Sequence, residues 1–223
     1  VQCIVGGVGA ICLEGTTNLV WVSGEGSKEV SQFDMEGGKW IENQRRECAS
    51  RVLGVYSTER DLFVCTDNSI YVFKDKVLIP KKKETRRGRL LSISGQGRKI
   101  AYPSKVRGEI MVYDLDNDTD TPIGPCHKHE ITSIPHVFWG CIATASEWGT
   151  RVRVWGITGE LVGEFRRGTN PASVYSLAVS EDGLVACAHS SNGTVHFFSL
   201  DSGVKNKEGL TVKVLGGFSS LLS

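Results

Sequence analysis

The chain has 223 residues, of which 40% are hydrophobic and 23% are charged, a composition that excludes a disordered chain and is typical of a globular protein with a sizeable core. Because the formal net charge is only +1, any attraction to an anionic partner must come from local clusters of charge. The sequence shows no signal peptide and no run of about 18 apolar residues, so we expect a cytoplasmic chain that does not cross a membrane.

Short β-rich runs recur along the chain with a period of about forty residues. Each run ends in an aromatic residue after a polar turn, and successive members of the series Phe33, Phe73, Tyr113, Trp155 and Phe198 are 40, 40, 42 and 43 residues apart. No segment before residue 205 keeps a helical apolar period, and a β-sandwich would not explain the regular spacing. The pattern predicts an all-β, WD40-like β-propeller, with five recognisable blades at 1–43, 44–84, 85–125, 126–168 and 169–202.

A basic cluster, KKKETRRGR at residues 81–89, carries six positive side chains around Glu84. It fits a solvated loop between blades, or an additional contact to acidic lipid headgroups or nucleic acid. Aromatic side chains for base stacking are not interleaved with it, so we predict no nucleic-acid partner.

Two adjacent arginines, Arg166 and Arg167, stand between a phenylalanine and a glycine at the end of a strand-like run. Neighbouring side chains on an extended segment point to opposite sides. The arginines therefore cannot serve one pocket together, but they can serve two neighbouring pockets, and we expect both to face the surface. The planar guanidinium suits phosphate oxygens, which is a reason for arginine at both places.

Two near-repeats flank the arginines: SEWGT, with Ser146, Gly149 and Thr150, and SSNGT, with Ser190, Gly193 and Thr194. Hydroxyls and a close glycine backbone can complete a phosphate site. The same residue types also form hydrogen-bond networks that only connect strands, and the histidines nearby could be ordinary buried blade residues. The sequence HKH lacks a carboxylate or cysteine set, and the seven scattered cysteines form no CxxC pair, so we expect reduced core thiols, no metal site and no cofactor.

The segments HKHEITSI, TASEWGTRVRVW, GEFRRG and SSNGTVHFFSL, in this order, resemble the PROPPIN family of seven-bladed propellers, which bind phosphoinositides in autophagy and endosomal traffic. The resemblance covers essentially the whole chain and implies that its blades correspond to the second to sixth of the family. It implies a first lipid pocket made of His127, Thr144, Ser146, Gly149, Thr150, Arg153 and Arg166. It implies a second pocket made of Arg167, Gly168, Ser190, Thr194 and His196. Trp148 is a departure, since the family usually has a charged residue there.

The last segment, residues 203–223, follows the final recognisable blade strand, and the family places a membrane-inserting loop at this point. An apolar stripe at helical spacing consists of Val214, Leu215, Phe218, Leu221 and Leu222. We interpret the segment as a membrane-inserting loop, with the start of a further strand as the alternative.

No nucleophile elbow, P-loop or dinucleotide fingerprint is present in the sequence, so we do not expect an enzyme. We expect a monomeric peripheral membrane effector that reads phosphatidylinositol 3-phosphate and phosphatidylinositol 3,5-bisphosphate and recruits other autophagy or trafficking proteins. It would move from the cytoplasm to phagophore, endosomal or vacuolar and lysosomal membranes. The alternative is a generic WD40-like scaffold that binds only proteins.

Overall fold

The computed structural model describes residues 8–13, 19–77, 79–94, 98–134, 140–180, 182–200 and 210–213. The chain divides into two compact units, residues 1–91 and 92–223. In the described ranges the regular structure is almost entirely β-strand, with one short 3₁₀ turn at Lys74–Lys76 and no α-helix. No helix there is long and apolar enough to cross a bilayer.

The first unit contains two antiparallel sheets, each made of four strands that pair in chain order. The first sheet consists of β1 (Val8–Leu13), β2 (Leu19–Gly24), β3 (Glu29–Glu36) and β4 (Lys39–Glu47). The second consists of β5 (Val52–Ser57), β6 (Leu62–Thr66), β7 (Ser69–Phe73) and β8 (Lys81–Glu84). Strands β6 and β7 are buried at every position, in keeping with their runs of β-branched and aromatic residues.

The second unit contains three further four-stranded antiparallel sheets, again with the strands paired in chain order. The third sheet consists of β9 (Ser92–Ile93), β10 (Lys99–Pro103), β11 (Ile110–Asp114) and β12 (Thr119–Ile123). The fourth consists of β13 (Ile131–Ser133), β14 (Cys141–Ser146), β15 (Arg151–Gly156) and β16 (Leu161–Arg166). The fifth consists of β17 (Val174–Val179), β18 (Val185–Ser190), β19 (Thr194–Ser199) and β20 (Leu210–Lys213).

The core lies between consecutive sheets of one unit. In the first unit, a cluster joins residues of the first two sheets: Trp21, Val30, Cys48, Val52, Val55, Leu62, Val64, Tyr71 and Phe73. In the second unit, a cluster joins the fourth and fifth sheets: Ala143, Ala145, Val152, Val154, Phe165, Val174, Leu177, Ala186, Ala188 and Phe198. The alanines of β14 and β18 leave room for Phe165 and Phe198, whose ring centroids are 5.8 Å apart. This packing brings the turn between β14 and β15 against the segment that enters β17, since the Ala172 N–H donates to the Trp148 carbonyl at 3.1 Å.

Five sheets stand where five blades are predicted, but two limits differ. Strand β4 continues to Glu47, past the predicted blade end at residue 43, because its pairing with β3 runs on to the partners Glu29 and Glu47. The fifth sheet takes its outer strand from Leu210–Lys213, which pairs with β19 and lies past residue 202. The five residues of the apolar stripe, Val214, Leu215, Phe218, Leu221 and Leu222, lie outside the described residues.

Candidate functional site

The two adjacent arginines lie at the end of the outer strand of the fourth sheet. Arg166 is the last residue of β16 and stands directly opposite Arg151 of β15. The main-chain N–H of Arg167 then donates to the Thr150 carbonyl at 2.9 Å, so the chain stays against the same turn for one more residue. Arg166 is exposed whereas Arg167 is only 6% exposed, so the expectation that both arginines face the surface is wrong for Arg167.

Arg167 is buried because main-chain carbonyls hold its guanidinium. Its Nε donates to the Gly149 carbonyl, and its Nη2 donates to the Asn170 carbonyl at 2.6 Å. No carboxylate among the described residues pairs with it, and burial lowers the pKa of the side chain. Arg167 therefore keeps an uncompensated positive charge at the junction of the fourth and fifth sheets.

A connected polar cluster at the start of β19 accompanies Arg167. The Ser190 hydroxyl donates to Asn192 Oδ1 at 2.6 Å, and the Thr194 hydroxyl donates to the same oxygen at 2.7 Å. Thr194 Oγ1 also lies 3.1 Å from His196 Nε2. Burial, and then the nearby charge of Arg167, lower the pKa of His196. Four of the five residues predicted for the second pocket thus lie together, and all four are buried.

Two further residues of the second pocket are Gly168 and Asn192. Gly168, its fifth predicted member, has open space at its α-carbon, since an added methyl group would meet no atom within 4 Å. Asn192 was not predicted, although it joins both hydroxyls of the cluster. Its place in SSNGT could have indicated this role, because asparagine in a turn commonly bonds its neighbours.

The first pocket is an open cavity of about 570 Å³ beside the turn between β14 and β15. Its lining consists of Pro125, His127, Lys128, His129, Ser146, Trp148, Thr150, Arg151 and Arg153. Four of these residues, His127, Ser146, Thr150 and Arg153, were predicted. Besides Pro125, four lining residues were not predicted: Lys128 and His129 of HKH, Trp148 of SEWGT, and Arg151 directly after it. Their closeness in the sequence to predicted residues was the available signal.

Three predicted members of the first pocket lie outside this lining. Thr144 is fully buried, and its hydroxyl accepts a hydrogen bond from Trp155 Nε1 at 3.2 Å and lies 2.9 Å from His127 Nε2. It therefore connects strands and holds the histidine. Gly149 has a φ of +49°, and an added methyl group there would overlap the Ala172 carbonyl, so it acts through its backbone. Arg166 stands beside the lining as the strand partner of Arg151.

A carboxylate partly balances the positive charge of the first pocket. Glu164 accepts a hydrogen bond from Arg153 Nε at 2.6 Å and forms an ion pair with Arg151. Burial, and then the charge of Arg151, lower the pKa of Arg153. Two arginines share one carboxylate, so the group remains cationic before Lys128 is added.

His127 is neutral at physiological pH. Burial, and then the charge of Arg153, lower the pKa of its imidazole to about 4. The ring can therefore offer a hydrogen bond at the cavity without adding charge. Within the described ranges, no group of three His, Cys, Asp or Glu side chains could hold a metal ion, and Cys12, Cys48, Cys65, Cys126, Cys141 and Cys187 are free thiols.

Comparisons with known proteins agree with this architecture. The PROPPIN family model matches residues 13–218. The WD repeat domain phosphoinositide-interacting protein 2 of Gallus gallus is 34% identical over 169 residues, which are 71% of this chain and 38% of that protein. Autophagy-related protein 18 of Vanderwaltozyma polyspora is 43% identical over 95 residues, or 42% of this chain and 17% of that protein. The chain thus spans well under half the length of these relatives.

Solved structures match over most of the chain. Kluyveromyces lactis Hsv2 aligns with a TM-score of 0.79 at 19% identity, covering 95% of this chain and 72% of that one. A complex of KlAtg21 with the coiled coil of AgAtg16 aligns with a TM-score of 0.72 at 19% identity, covering 86% of this chain and 67% of that one. At this identity the likeness concerns the fold alone, and it confirms the predicted WD40-like β-propeller.

Proposed function

Because the chain belongs to the PROPPIN family, we propose that it binds 3-phosphorylated inositides at a membrane surface through two pockets on either side of the FRRG segment. The ligands are phosphatidylinositol 3-phosphate and phosphatidylinositol 3,5-bisphosphate. The observation that carries the proposal is the pair Arg151 and Arg166, two like charges placed directly opposite each other on β15 and β16 beside an open cationic cavity.

Directly opposed like charges destabilise a sheet, and Glu164 relieves this only in part, since it pairs with Arg151 and Arg153 and no carboxylate among the described residues pairs with Arg166. A phosphate group would relieve the remainder, since an anion between the arginines would turn their repulsion into two favourable charge-assisted contacts. Lys128 and Arg153 line the same cavity and add positive charge, while Ser146 and Thr150 offer hydroxyls. The cavity therefore combines the cations and neutral donors that a phosphorylated inositol ring requires.

The second pocket uses Arg167 as its charged donor. Among the described residues, the carbonyls of Gly149 and Asn170 engage two of the five N–H groups of its guanidinium, and the remaining donors could bind a phosphate. The hydroxyl cluster around Asn192 lies close enough for Arg167 to affect the pKa of His196. Its members are buried, so lipid would enter by a local shift of side chains, and we propose that it approaches over Gly168, whose α-carbon has open space beside it.

The biological role that we propose is recruitment from the cytoplasm to phagophore, endosomal or vacuolar and lysosomal membranes. Its support is that the relatives are named as a phosphoinositide-interacting protein and as autophagy-related proteins. Since a structural relative is described in complex with a coiled coil, we also propose that the bound protein recruits an autophagy or trafficking partner. Since Leu210–Lys213 is the outer strand of the fifth sheet, the part of the segment that would add hydrophobic insertion to phosphate recognition is the stripe around Phe218.

Flotation of liposomes tests the proposed function. Vesicles of neutral lipid with phosphatidylinositol 3-phosphate, with the 3,5-bisphosphate or with unphosphorylated phosphatidylinositol are mixed with the chain and centrifuged. We expect the chain to float with the two phosphorylated lipids only. Equal flotation with all three vesicles would contradict the proposal by showing membrane binding without headgroup specificity. No flotation with any of them would contradict it in favour of the generic scaffold that binds only proteins.

A further inference from the structure

An exposed tryptophan lies at the rim of the first pocket. Trp148 is 52% exposed and belongs to the cavity lining, in the turn between β14 and β15. Its indole stacks on the imidazole of His129, with ring centroids 4.3 Å apart and an interplanar angle of 9°. A large aromatic side chain left half open to solvent at the rim of a cavity lined by arginines, a lysine and hydroxyls offers a contact surface to a ligand, and tryptophan is enriched among the residues that dominate binding.

The surroundings of the indole hold it in place. The Trp148 carbonyl accepts a hydrogen bond from the Ala172 N–H, and the N–H of the preceding residue, Glu147, donates to the Glu130 carbonyl at 3.0 Å. Arg107 Nη2 donates to Glu147 Oε1 at 2.9 Å, and the same nitrogen lies 3.5 Å from the ring of His129. Both the backbone and the stacking partner are thus fixed, so a ligand that packs on the indole would lose little affinity to its ordering.

The chemistry of the cavity identifies what this surface contacts. An inositol ring carries five of its six oxygen substituents around its edge and one axial hydroxyl on one face, so the opposite face consists of C–H bonds and is less polar. The arginines, Lys128 and hydroxyls of the lining can satisfy the edge, but they cannot satisfy a face. Trp148 is the largest aromatic side chain in the lining of the same cavity. Flat apolar faces and aromatic rings pack well against each other.

We infer that Trp148, backed by His129, is a stacking platform for the face of the inositol ring in the first pocket. This inference rests on the proposed function. The platform fixes the ring plane, and the plane decides which edge positions reach Arg151 and Arg153. Trp148 is thereby a determinant of which phosphorylated inositol fits.

Calorimetric titration with soluble inositol 1,3-bisphosphate tests the platform in the complete chain. We expect Trp148→Ala to weaken binding about three- to tenfold, the range typical of an aromatic contact, and Trp148→Phe to keep most of the affinity. The matched control is Trp40→Ala, because Trp40 is 44% exposed on β4 of the other unit. It should bind the headgroup like the wild-type chain, and all variants should unfold at similar temperatures.

Each other outcome has a defined meaning. Unchanged headgroup affinity in Trp148→Ala would overturn the platform, and a loss seen with vesicles alone would show a tryptophan that contacts the bilayer instead. A Trp148→Phe variant as weak as Trp148→Ala would also overturn stacking. If the wild-type chain bound neither headgroup nor vesicle, the proposed function itself would fail, and the platform with it.

Discussion

The chain contains the letters Arg-Arg-Gly twice, and the two copies differ in their relation to the strand before them. In the fourth sheet the strand includes Arg166, and the next residue, Arg167, is buried and bonded to carbonyls. In the second sheet the strand ends earlier, at Glu84, and the buried place after it belongs to Thr85, which is 3% exposed.

The backbone shows that Thr85 and Arg167 are equivalent. The Thr85 N–H donates to the Asn68 carbonyl at 3.0 Å, as the Arg167 N–H does to the Thr150 carbonyl. Relative to the paired strands, Arg86 and Arg87 therefore lie two residues later than Arg166 and Arg167, past the end of β8, and both are exposed. The comparison teaches that strand register, and not the letters, decides whether an arginine enters a site, because the buried place directly after the last paired residue falls on Arg167 in one sheet and on Thr85 in the other.

The largest expected effect comes from removing each pair of arginines in turn. Replacing Arg166 and Arg167 by Thr should lower affinity for phosphatidylinositol 3-phosphate vesicles more than tenfold, since each charged hydrogen bond contributes about 1.5–3 kcal/mol. The matched control, Arg86→Thr with Arg87→Thr, should float like the wild-type chain. Equal losses in both double variants would mean that general positive charge, and not register, determines binding.

The unfolding temperature of each variant must be measured together with its vesicle binding, because Arg167 is buried. Its loss leaves two carbonyls, of Gly149 and Asn170, without their donor, so the first double variant should also unfold at a lower temperature than the control. Arg166→Thr alone, at an exposed position, separates the two effects. This single variant should keep the wild-type unfolding temperature and still bind vesicles more weakly.

Lowering the pH from 7 to 4.5 should destabilise the unit that contains FRRG more than the unit that contains TRRG, since all five histidines lie after residue 91. His127 has a pKa of about 4 in the folded chain, below the value of about 6.5 for an exposed histidine. The unfolded chain therefore binds the proton more readily, so the stability is complete above about pH 6.5 and falls as the pH is lowered towards 4.

The expected loss over that window is about 3 kcal/mol, because each pH unit between the two pKa values contributes about 1.4 kcal/mol. Urea unfolding of the wild-type chain between pH 7 and pH 4.5, followed by exchange of amide hydrogens in each unit, would measure it. His127→Asn should reduce the pH dependence, and part of the remainder comes from His196, whose pKa is also lowered by burial and by the charge of Arg167. A variant that loses stability with acid as steeply as the wild-type chain would show that another group is responsible.

Sequence patterns reveal the blades and part of the site. The forty-residue repeat follows from alternation within short strands, and the parity of Arg166 and Arg167 follows from strand geometry, so both could be predicted. The burial of Arg167 could not, because it depends on the Gly149 carbonyl, which belongs to a turn 18 residues earlier. The place of Trp148 in the lining of the first pocket likewise arises from contacts between segments that no local sequence pattern describes.

Two glycines, Gly149 and Gly88, should contribute about equally to stability. An added methyl group at Gly149 would overlap the Ala172 carbonyl, and one at Gly88 would overlap the Thr66 carbonyl. We expect Gly149→Ala and Gly88→Ala each to lower the free energy of unfolding by about 1–3 kcal/mol, measured by urea titration. Gly149→Ala alone should also weaken headgroup binding, because its carbonyl holds Arg167. A loss of binding in Gly88→Ala at full folding would place the second sheet in the site.

The smallest effect on stability is expected at Gly168, the glycine of FRRG itself. Its α-carbon faces open space, and its backbone is not in the left-handed region. Gly168→Ala should therefore change the free energy of unfolding by less than about 0.5 kcal/mol. If lipid approaches the second pocket from this side, the same methyl group should weaken vesicle binding, whereas Gly88→Ala should do the reverse and cost stability without affecting binding. Unchanged vesicle binding in Gly168→Ala would mean that the ligand does not pass this α-carbon, and that the second pocket opens from the side of Asn192.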